Sequence, residues 1–393
     1  MPKAGAKTAD PEVSSSVLDI IQSYDETLPL ERAWTIPGSW YTDQRIAELE
    51  RRAVFGDTWQ VVGRADQVGG PGQYITAEVA GQPVVVVRGH DHVLRAFFNV
   101  CRHHAAAVMT EAEGCASLLR CPYHGWTYGL DGSLKGIPEF EGVVGYDRAA
   151  NGLVPIRVET WEQFLLVHLN RSGASLASFL GALVTRVQPL NLRSLQFVER
   201  REYVLNCNWK VFVDNYLDGG YHVPHLHKGL NSVLEYVNYT IENVDHCCIQ
   251  SSPMKASDEA DAAAAATRKG DRAFYFWEYP NFMLNWYQGY LDTNLVLPIA
   301  VNQCKVIFDF YFADVSPASR EYIRQSIDVS DRVQAEDVGI CESVQRGVAS
   351  RAYKAGRLSV RREAGEHLFH RLLATDLKRG ATGFAETSAD LSS

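Results

Sequence analysis

The chain is poor in cysteine, with eight in 393 residues. That is too sparse for a disulfide-stapled scaffold. It carries no excess of positive charge: 38 Lys and Arg stand against 47 Asp and Glu, a net charge of −9. A nucleic-acid backbone is therefore a poor candidate for its main partner. No apolar run approaches the roughly 18–20 residues needed to span a bilayer, so no membrane partner is expected. No G-x-G-x-x-G opens a helix, since Gly69-Gly-Pro-Gly72 is only a turn. Any nicotinamide is expected to be oxidised on another protein. No internal repeat is visible. Met1 to Ser16 is polar, without the apolar core of a signal peptide or the Arg-rich bias of a transit peptide. It reads as a disordered tail on a cytoplasmic protein.

The hydrophobic (46%) and charged (22%) contents are those of an ordinary globular protein with room for two or three domains. Asp43 is placed to cap a short helix that buries Ile46, Leu49, Ala53 and Val54. From Trp59 to about Leu169, short apolar runs such as Val84–Val87 alternate with Gly and Pro turns, which predicts a small all-β domain. Beyond residue 170 strands and helices mix. Phe197–Val204 and Val306–Phe312 read as strands. Residues 318–349 read as a helix with Ile327, Val333, Val338, Cys341 and Val344 mainly on its apolar face. Residues 254–272 read as an exposed loop or mobile helix over the site, and Gly380 to Ser393 as a frayed end.

Two constellations carry chemistry. The first is Cys101-Arg-His103, seventeen residues, then Cys121-Pro-Tyr-His124. Two thiolates and two imidazoles can hold zinc or an iron–sulfur cluster. Zinc ribbons usually open with C-x₂-C, whereas one Cys and one His from each of two loops suit a [2Fe–2S] cluster. Cys115, Cys207, Cys247, Cys248, Cys304 and Cys341 show no such pattern and read as buried thiols. The second constellation lies in Trp209–His227. Asp214, Asp218 and His222 recur every four residues, on one face of a helix that Pro224 is expected to end near His222. His227 follows the break, and two neutral imidazoles at close quarters are a credible pair of metal ligands.

Asn99-Val-Cys-Arg-His-His and Cys121-Pro-Tyr-His-Gly-Trp-Thr-Tyr128 resemble the two loops of a Rieske domain. Asn208-Trp-Lys-x-Phe-x-Asp-Asn-Tyr-x-Asp-Gly-Gly-Tyr-His-x₄-His resembles the catalytic motif of Rieske non-haem iron oxygenases. The likeness runs from about residue 40 to 375. It implies an α+β chain: an N-terminal tail and helical segment (1–55), an all-β Rieske domain (56–169), a helix-grip catalytic domain with an antiparallel sheet and long helices (170–380), and a flexible tail (381–393).

The resemblance also assigns roles. Cys101 and Cys121 would bind one iron of the cluster, and His103 and His124 the other. His104-Ala105 stands where many members have Arg-Gly, which makes His104 a non-ligand. His222 and His227 would bind a mononuclear Fe(II) that leaves positions open for O₂. The third ligand would be Asp337, with Glu336 its rival and Asp331 and Glu342 elsewhere on the same helix. Asp218 would bridge a neighbouring subunit's cluster to an iron-ligand His. Many members place that carboxylate three residues before the His, where this chain has Gly219; Asp214 is the fallback. Asn215 would line the open iron position, and His225 stays outside the ligand set. Electrons from NAD(P)H would arrive through a separate flavin reductase, with or without a ferredoxin. A head-to-tail homotrimer would bring cluster and iron together across subunits.

Asp214–Pro224, Tyr279–Asn285, Asp292–Val296 and Cys341–Gly347 resemble the choline monooxygenase branch and related quaternary-ammonium demethylases. Choline or a betaine is thus the expected substrate, with aromatic ring dioxygenation as the alternative. The stretch Phe274–Tyr290 is crowded with aromatics, and trimethylammonium groups are recognised by aromatic cages. Tyr275, Trp277 and Tyr279 would share one strand face and are the cage candidates. A betaine would also want an Arg for its carboxylate, which the sequence does not place. An electron-transfer protein with a purely structural second domain, and a zinc-stabilised binding protein, are the competing classes.

Overall fold

The computed structural model describes residues 16–255 and 261–390. The expected N-terminal tail, Ser16 apart, therefore lies outside the described residues, as do residues 256–260 of the expected loop.

Strands β1 (Gln60–Arg64), β2 (Gln73–Val79), β3 (Gln82–Arg88), β4 (Leu94–Phe98), β5 (Glu113–Cys115), β9 (Pro155–Trp161) and β10 (Phe164–His168) form one antiparallel sheet in the order β1-β10-β9-β4-β3-β2-β5. A three-stranded sheet of β6 (Leu119–Arg120), β7 (Thr127–Tyr128) and β8 (Leu134–Gly136) is inserted between β5 and β9. The two Cys/His loops grow from these sheets, one after β4 and the other between β6 and β7. Each folds into the same tight turn. The Cys101 N–H donates to Ala106 O at 2.8 Å, and the Cys121 N–H to Trp126 O at 2.8 Å. Four residues after each Cys the backbone turns left-handed, at Ala105 (φ 60°) and Gly125 (φ 72°). Glycine adopts that conformation freely and alanine at a cost.

The second seven-stranded sheet is a meander. Its strands are β11 (Gln196–Leu205), β12 (Thr240–Val244), β13 (Cys247–Pro253), β14 (Arg272–Glu278), β15 (Phe282–Tyr287), β16 (Tyr290–Ala300) and β17 (Gln303–Phe312), ordered β11-β17-β16-β15-β14-β13-β12 and antiparallel throughout. Side chains alternate between its faces. Phe276, Leu284, Ile307 and Tyr311 pack with Trp161 and Phe164 of the first sheet and with Trp59 just before it. Trp277, Met283, Phe308 and Phe310 pack under the helices that carry the second constellation.

Those helices are Trp209–Leu217, Arg320–Val348 and Ala364–Asp390. The first is capped by Asn208, whose side chain accepts from the Lys210 N–H at 3.0 Å. Beneath it the buried Lys210 ammonium meets Glu50 at 2.6 Å, and Trp209 Nε1 donates to the same carboxylate at 2.8 Å. The short helix Gln44–Glu50 is capped by Asp43 as expected, and Ile46, Leu49, Ala53 and Val54 are buried.

Several expectations need correction. The Trp209 helix ends at Leu217, not near His222. Gly219 (φ 67°) and Gly220 (φ 69°) break it, and Pro224 sits in the first turn of a new short helix, Val223–Leu226, where its missing N–H costs nothing. Arg320–Val348 buries Ile327 and Cys341 as expected and half-buries Val333 and Val338, but Val344 is exposed, and the same inward face also buries Ser326, Ser330, Gln334, Asp337 and Gln345. The apolar period finds that face but not the polar residues on it, of which Ser330, Gln334 and Asp337 line the cavity. Of residues 254–272, Ala262–Thr267 is a helix with Ala264, Thr267 and Arg268 buried. The C-terminal helix runs through the expected tail to Asp390. Cys115 is exposed, unlike the other cysteines.

Candidate metal centres and cavity

At the first constellation Cys101 and Cys121 are buried free thiols at the bases of their loops. Tyr128 Oη accepts from the Arg102 N–H at 2.9 Å, which leaves its own proton for Cys101 Sγ at 3.4 Å. Hydrogen bonds of this kind to cluster sulfurs raise the reduction potential. His103 stacks on Trp126 (4.6 Å, 5°), and its ring lies 4.7 Å from that of His124. His103 Nδ1 is buried with no partner. Two thiols and two imidazoles, one nitrogen left orphaned, are the donor set a Rieske cluster takes. His104 also comes into this group, with a ring nitrogen within 4.8 Å of those of His103 and His124. Its ring is exposed and lies 4.0 Å from His103.

At the second constellation His222, His227 and Asp337 each direct a donor atom to one point, all within 4.8 Å of one another. His227 Nε2 is 3.1 Å and His222 Nε2 4.0 Å from Asp337 Oδ1. The opposite nitrogens are both held by carboxylates: His222 Nδ1 by Asp218 Oδ2 at 2.6 Å, and His227 Nδ1 by Glu336 Oε2 at 2.6 Å. A carboxylate on Nδ1 fixes the tautomer that leaves the Nε2 lone pair free, which is how metal-binding imidazoles are supported. Two imidazoles and one carboxylate on one side of a cavity fit a mononuclear iron with open positions.

Glu336 and Asp337, rivals as ligands in sequence, thus divide between the two nitrogens of one imidazole. Asn215 Nδ2 donates to Asp337 Oδ1 at 2.8 Å. His225 is exposed and outside the trio. Asp331 instead meets Tyr203, and Glu342 accepts from the Asn206 N–H at 3.1 Å.

Asp214 does not reach His222. It accepts from Tyr41 Oη at 2.6 Å, and its other oxygen lies 3.0 Å from His370 Nε2, with Glu366 beside them. Burial and nearby carboxylates push the Glu366 carboxyl well above the usual range. These partners on the C-terminal helix carry no motif that could have disclosed them.

A cavity opens on the trio and is walled by Tyr239, Tyr275 and Tyr287, with Tyr216, Phe212 and Phe308. Trp277 and Tyr279 do not line it. They lie further along the Tyr275 face, where Trp277 packs on Phe369 (5.6 Å) and Tyr279 donates to Asp376 at 2.8 Å. The strand period placed them correctly on one face but could not show where along it the cavity ends. Arg268 and Asp292 also line the cavity. Burial raises the Asp292 carboxyl, opposed chiefly by the Arg268 charge.

Residues 58–147 match the Rieske [2Fe-2S] domain, and residues 192–378 match the ring hydroxylating alpha subunit (catalytic domain). The chain is 41% identical over 376 residues to the chloroplastic choline monooxygenase of Arabidopsis thaliana, covering 93% of this chain and 88% of that protein. The chain belongs to the Rieske-type ring-hydroxylating oxygenases. It is 31% identical over 363 residues to the carnitine monooxygenase oxygenase subunit of Escherichia coli K12, covering 88% and 95% of the two chains.

A solved quaternary ammonium Rieske monooxygenase in complex with gamma-butyrobetaine superposes with a TM-score of 0.77 at 27% identity, covering 93% of this chain and 99% of that one. Naphthalene 1,2-dioxygenase, at 18% identity and a TM-score of 0.73, shares the fold. As a member of this family the chain is an oxidoreductase, an O₂-dependent Rieske monooxygenase with a [2Fe–2S] cluster and a non-haem iron. It acts on a small molecule with electrons from a separate reductase. No described helix is long and apolar enough to cross a membrane.

Proposed function

We propose that this oxygenase hydroxylates a C–H bond of a small quaternary-ammonium compound. On choline the carbinol carbon would give the hydrate of betaine aldehyde. On a betaine an N-methyl carbon would give a hemiaminal that loses formaldehyde. The observation that carries this reading is the tyrosine wall. The Tyr239 and Tyr275 rings lie 6.3 Å apart and nearly parallel (12°), and Tyr287 stands edge-on to Tyr275 at 6.0 Å. The Tyr275 and Tyr287 hydroxyls are 2.7 Å apart, which fixes both rings. Electron-rich faces around one space attract a trimethylammonium group. The similarity to choline and carnitine monooxygenases supports the same reading.

Iron held by His222, His227 and Asp337 would supply the site at which O₂ binds and is activated. The chain's own residues prepare that site. Asp218 and Glu336 orient the two imidazoles, Asn215 fixes Asp337, and the tyrosines hold the ammonium beside the open side of the trio. Cys101, Cys121, His103 and His124 would hold the cluster. Asp218 would hand its electrons from a neighbouring subunit to His222 in a homotrimer, fed by a flavin or ferredoxin-type reductase in the cytoplasm.

Mass spectrometry of products from choline, glycine betaine, carnitine and benzoate, with a surrogate reductase, tests the reading. Betaine aldehyde, or a demethylated amine with formaldehyde, is expected. Turnover of benzoate to a diol with no ammonium compound consumed would replace it with ring dioxygenation.

A further inference from the structure

Arg268 closes the helix Ala262–Thr267 and turns its side chain inward, where it is 6% exposed. The guanidinium lies over the rings of Tyr287 (4.9 Å) and Tyr290 (4.7 Å). It has five N–H donors to satisfy. Among the described residues its hydrogen-bond partners are Ser330 Oγ at 2.8 Å, the Ser326 carbonyl at a marginal 3.5 Å and the Tyr287 hydroxyl, none of them charged. Nε is buried and has no partner among the described residues. No described carboxylate comes within ion-pair distance of it, whereas the buried Lys210 is paired with Glu50.

Asp292, the nearest candidate, is already committed. It accepts from Asn285 Nδ2 at 2.5 Å, from Tyr290 Oη at 2.5 Å and from Ser330 Oγ at 3.2 Å. Ser330 therefore stands between the two charges, its proton given to Asp292 and its lone pair to Arg268. A buried guanidinium with idle donors is costly unless an acceptor arrives, and a carboxylate matches its fork with two parallel bonds.

Arg268 lines the same cavity as the tyrosines and the His222–His227–Asp337 trio. A substrate seated with its ammonium against Tyr275 and Tyr287 keeps its other end free for this guanidinium. A plain cation such as choline would meet a like charge there. A zwitterion would meet a matched pair of subsites, aromatic for the nitrogen and cationic for the oxygens.

We propose that Arg268 is the carboxylate anchor of this cavity, which makes the substrate a betaine rather than choline. This rests on the quaternary-ammonium reading and narrows it. Held by its carboxylate, a betaine offers its N-methyl groups for oxidation.

The test is calorimetric titration of the anaerobic, iron-loaded holoenzyme with glycine betaine, γ-butyrobetaine, choline and 3,3-dimethylbutanoate, which keeps the carboxylate and lacks the charge on nitrogen. Wild type should bind a betaine at least about tenfold more tightly than choline, as expected for a charge-assisted hydrogen bond. Arg268→Gln should weaken the betaine and dimethylbutanoate by roughly 10–100-fold and leave choline unchanged or bound more tightly. Arg268→Lys, which keeps the charge and loses the fork, should fall between.

Equal or tighter choline binding by wild type, or an Arg268→Gln variant that shifts betaine and choline alike, overturns the anchor and leaves the ammonium reading standing. The wild-type comparison decides even where a variant fails to fold. If neither choline nor a betaine binds, the ammonium reading falls, and the anchor with it.

Discussion

Asp218 Oδ2 holds His222 twice, through Nδ1 at 2.6 Å and through the backbone N–H at 3.0 Å. The carboxylate therefore fixes both the ring's tautomer and the turn that presents the ring. Asp214, one helical turn earlier, is committed to Tyr41 and His370 instead. Asp218→Asn should keep both metals yet lower coupled turnover about 10–100-fold, the range for losing a carboxylate behind a metal-bound imidazole. Steady-state rates with metal analysis check this. Full activity in Asp218→Asn together with loss in Asp214→Asn would move the electron bridge to Asp214.

The position next to Asp218 is closed to side chains. Gly219 has φ 67°, and a Cβ there would overlap the carbonyl oxygen of Arg362 and crowd Ile241. The bridge proposed for Asp218 therefore has no alternative position at 219. Gly219→Ala should lower unfolding free energy by more than about 2 kcal/mol, with left-handed strain and overlap adding, and should loosen His222. Denaturation midpoints and iron retention report the two effects. The double change Asp218→Gly with Gly219→Asp should not restore turnover.

Ala105 takes the left-handed conformation in the first cluster loop that Gly125 takes in the second. Ala105→Gly should therefore stabilise the loop by about 1 kcal/mol. The measurement is the thermal bleaching midpoint of the cluster's visible absorption. An unchanged or lowered midpoint would mean that the alanine methyl makes a contact worth more than its strain.

The chemistry-bearing residues were legible in sequence because their spacing is set by backbone geometry. C-x-H and C-x-x-H each fit one tight turn, and H-x₄-H spans one turn of the short Val223–Leu226 helix. The strands and the buried face of Gln44–Glu50 were legible because burial there is apolar and periodic. What stayed hidden depends on contacts distant in sequence. Glu336 backs His227 from 109 positions away, and His370 pairs with Asp214 from 156 away. The tyrosine wall forms when Tyr287 and Tyr239 come to Tyr275 across the β14–β15 hairpin and from the loop before β12. Along Arg320–Val348 the apolar signal marked the inner face through Ile327 and Cys341 but could not show the buried Ser330 and Gln334 that serve the cavity. The helix break at Gly219 and Gly220 lay ahead of the proline that drew attention.

Iron and sulfide analysis of the purified chain, beside Asp337→Ala and Glu336→Gln, tests the assembled site most directly. Wild type should hold about three irons and two sulfides per chain, one cluster and one mononuclear centre. Asp337→Ala should fall to about two irons and keep the cluster's colour. Glu336→Gln should still bind the third iron, with affinity lowered roughly 10–100-fold. Zinc or only two irons in wild type, or a third iron that survives Asp337→Ala and is lost in Glu336→Gln, would contradict the account.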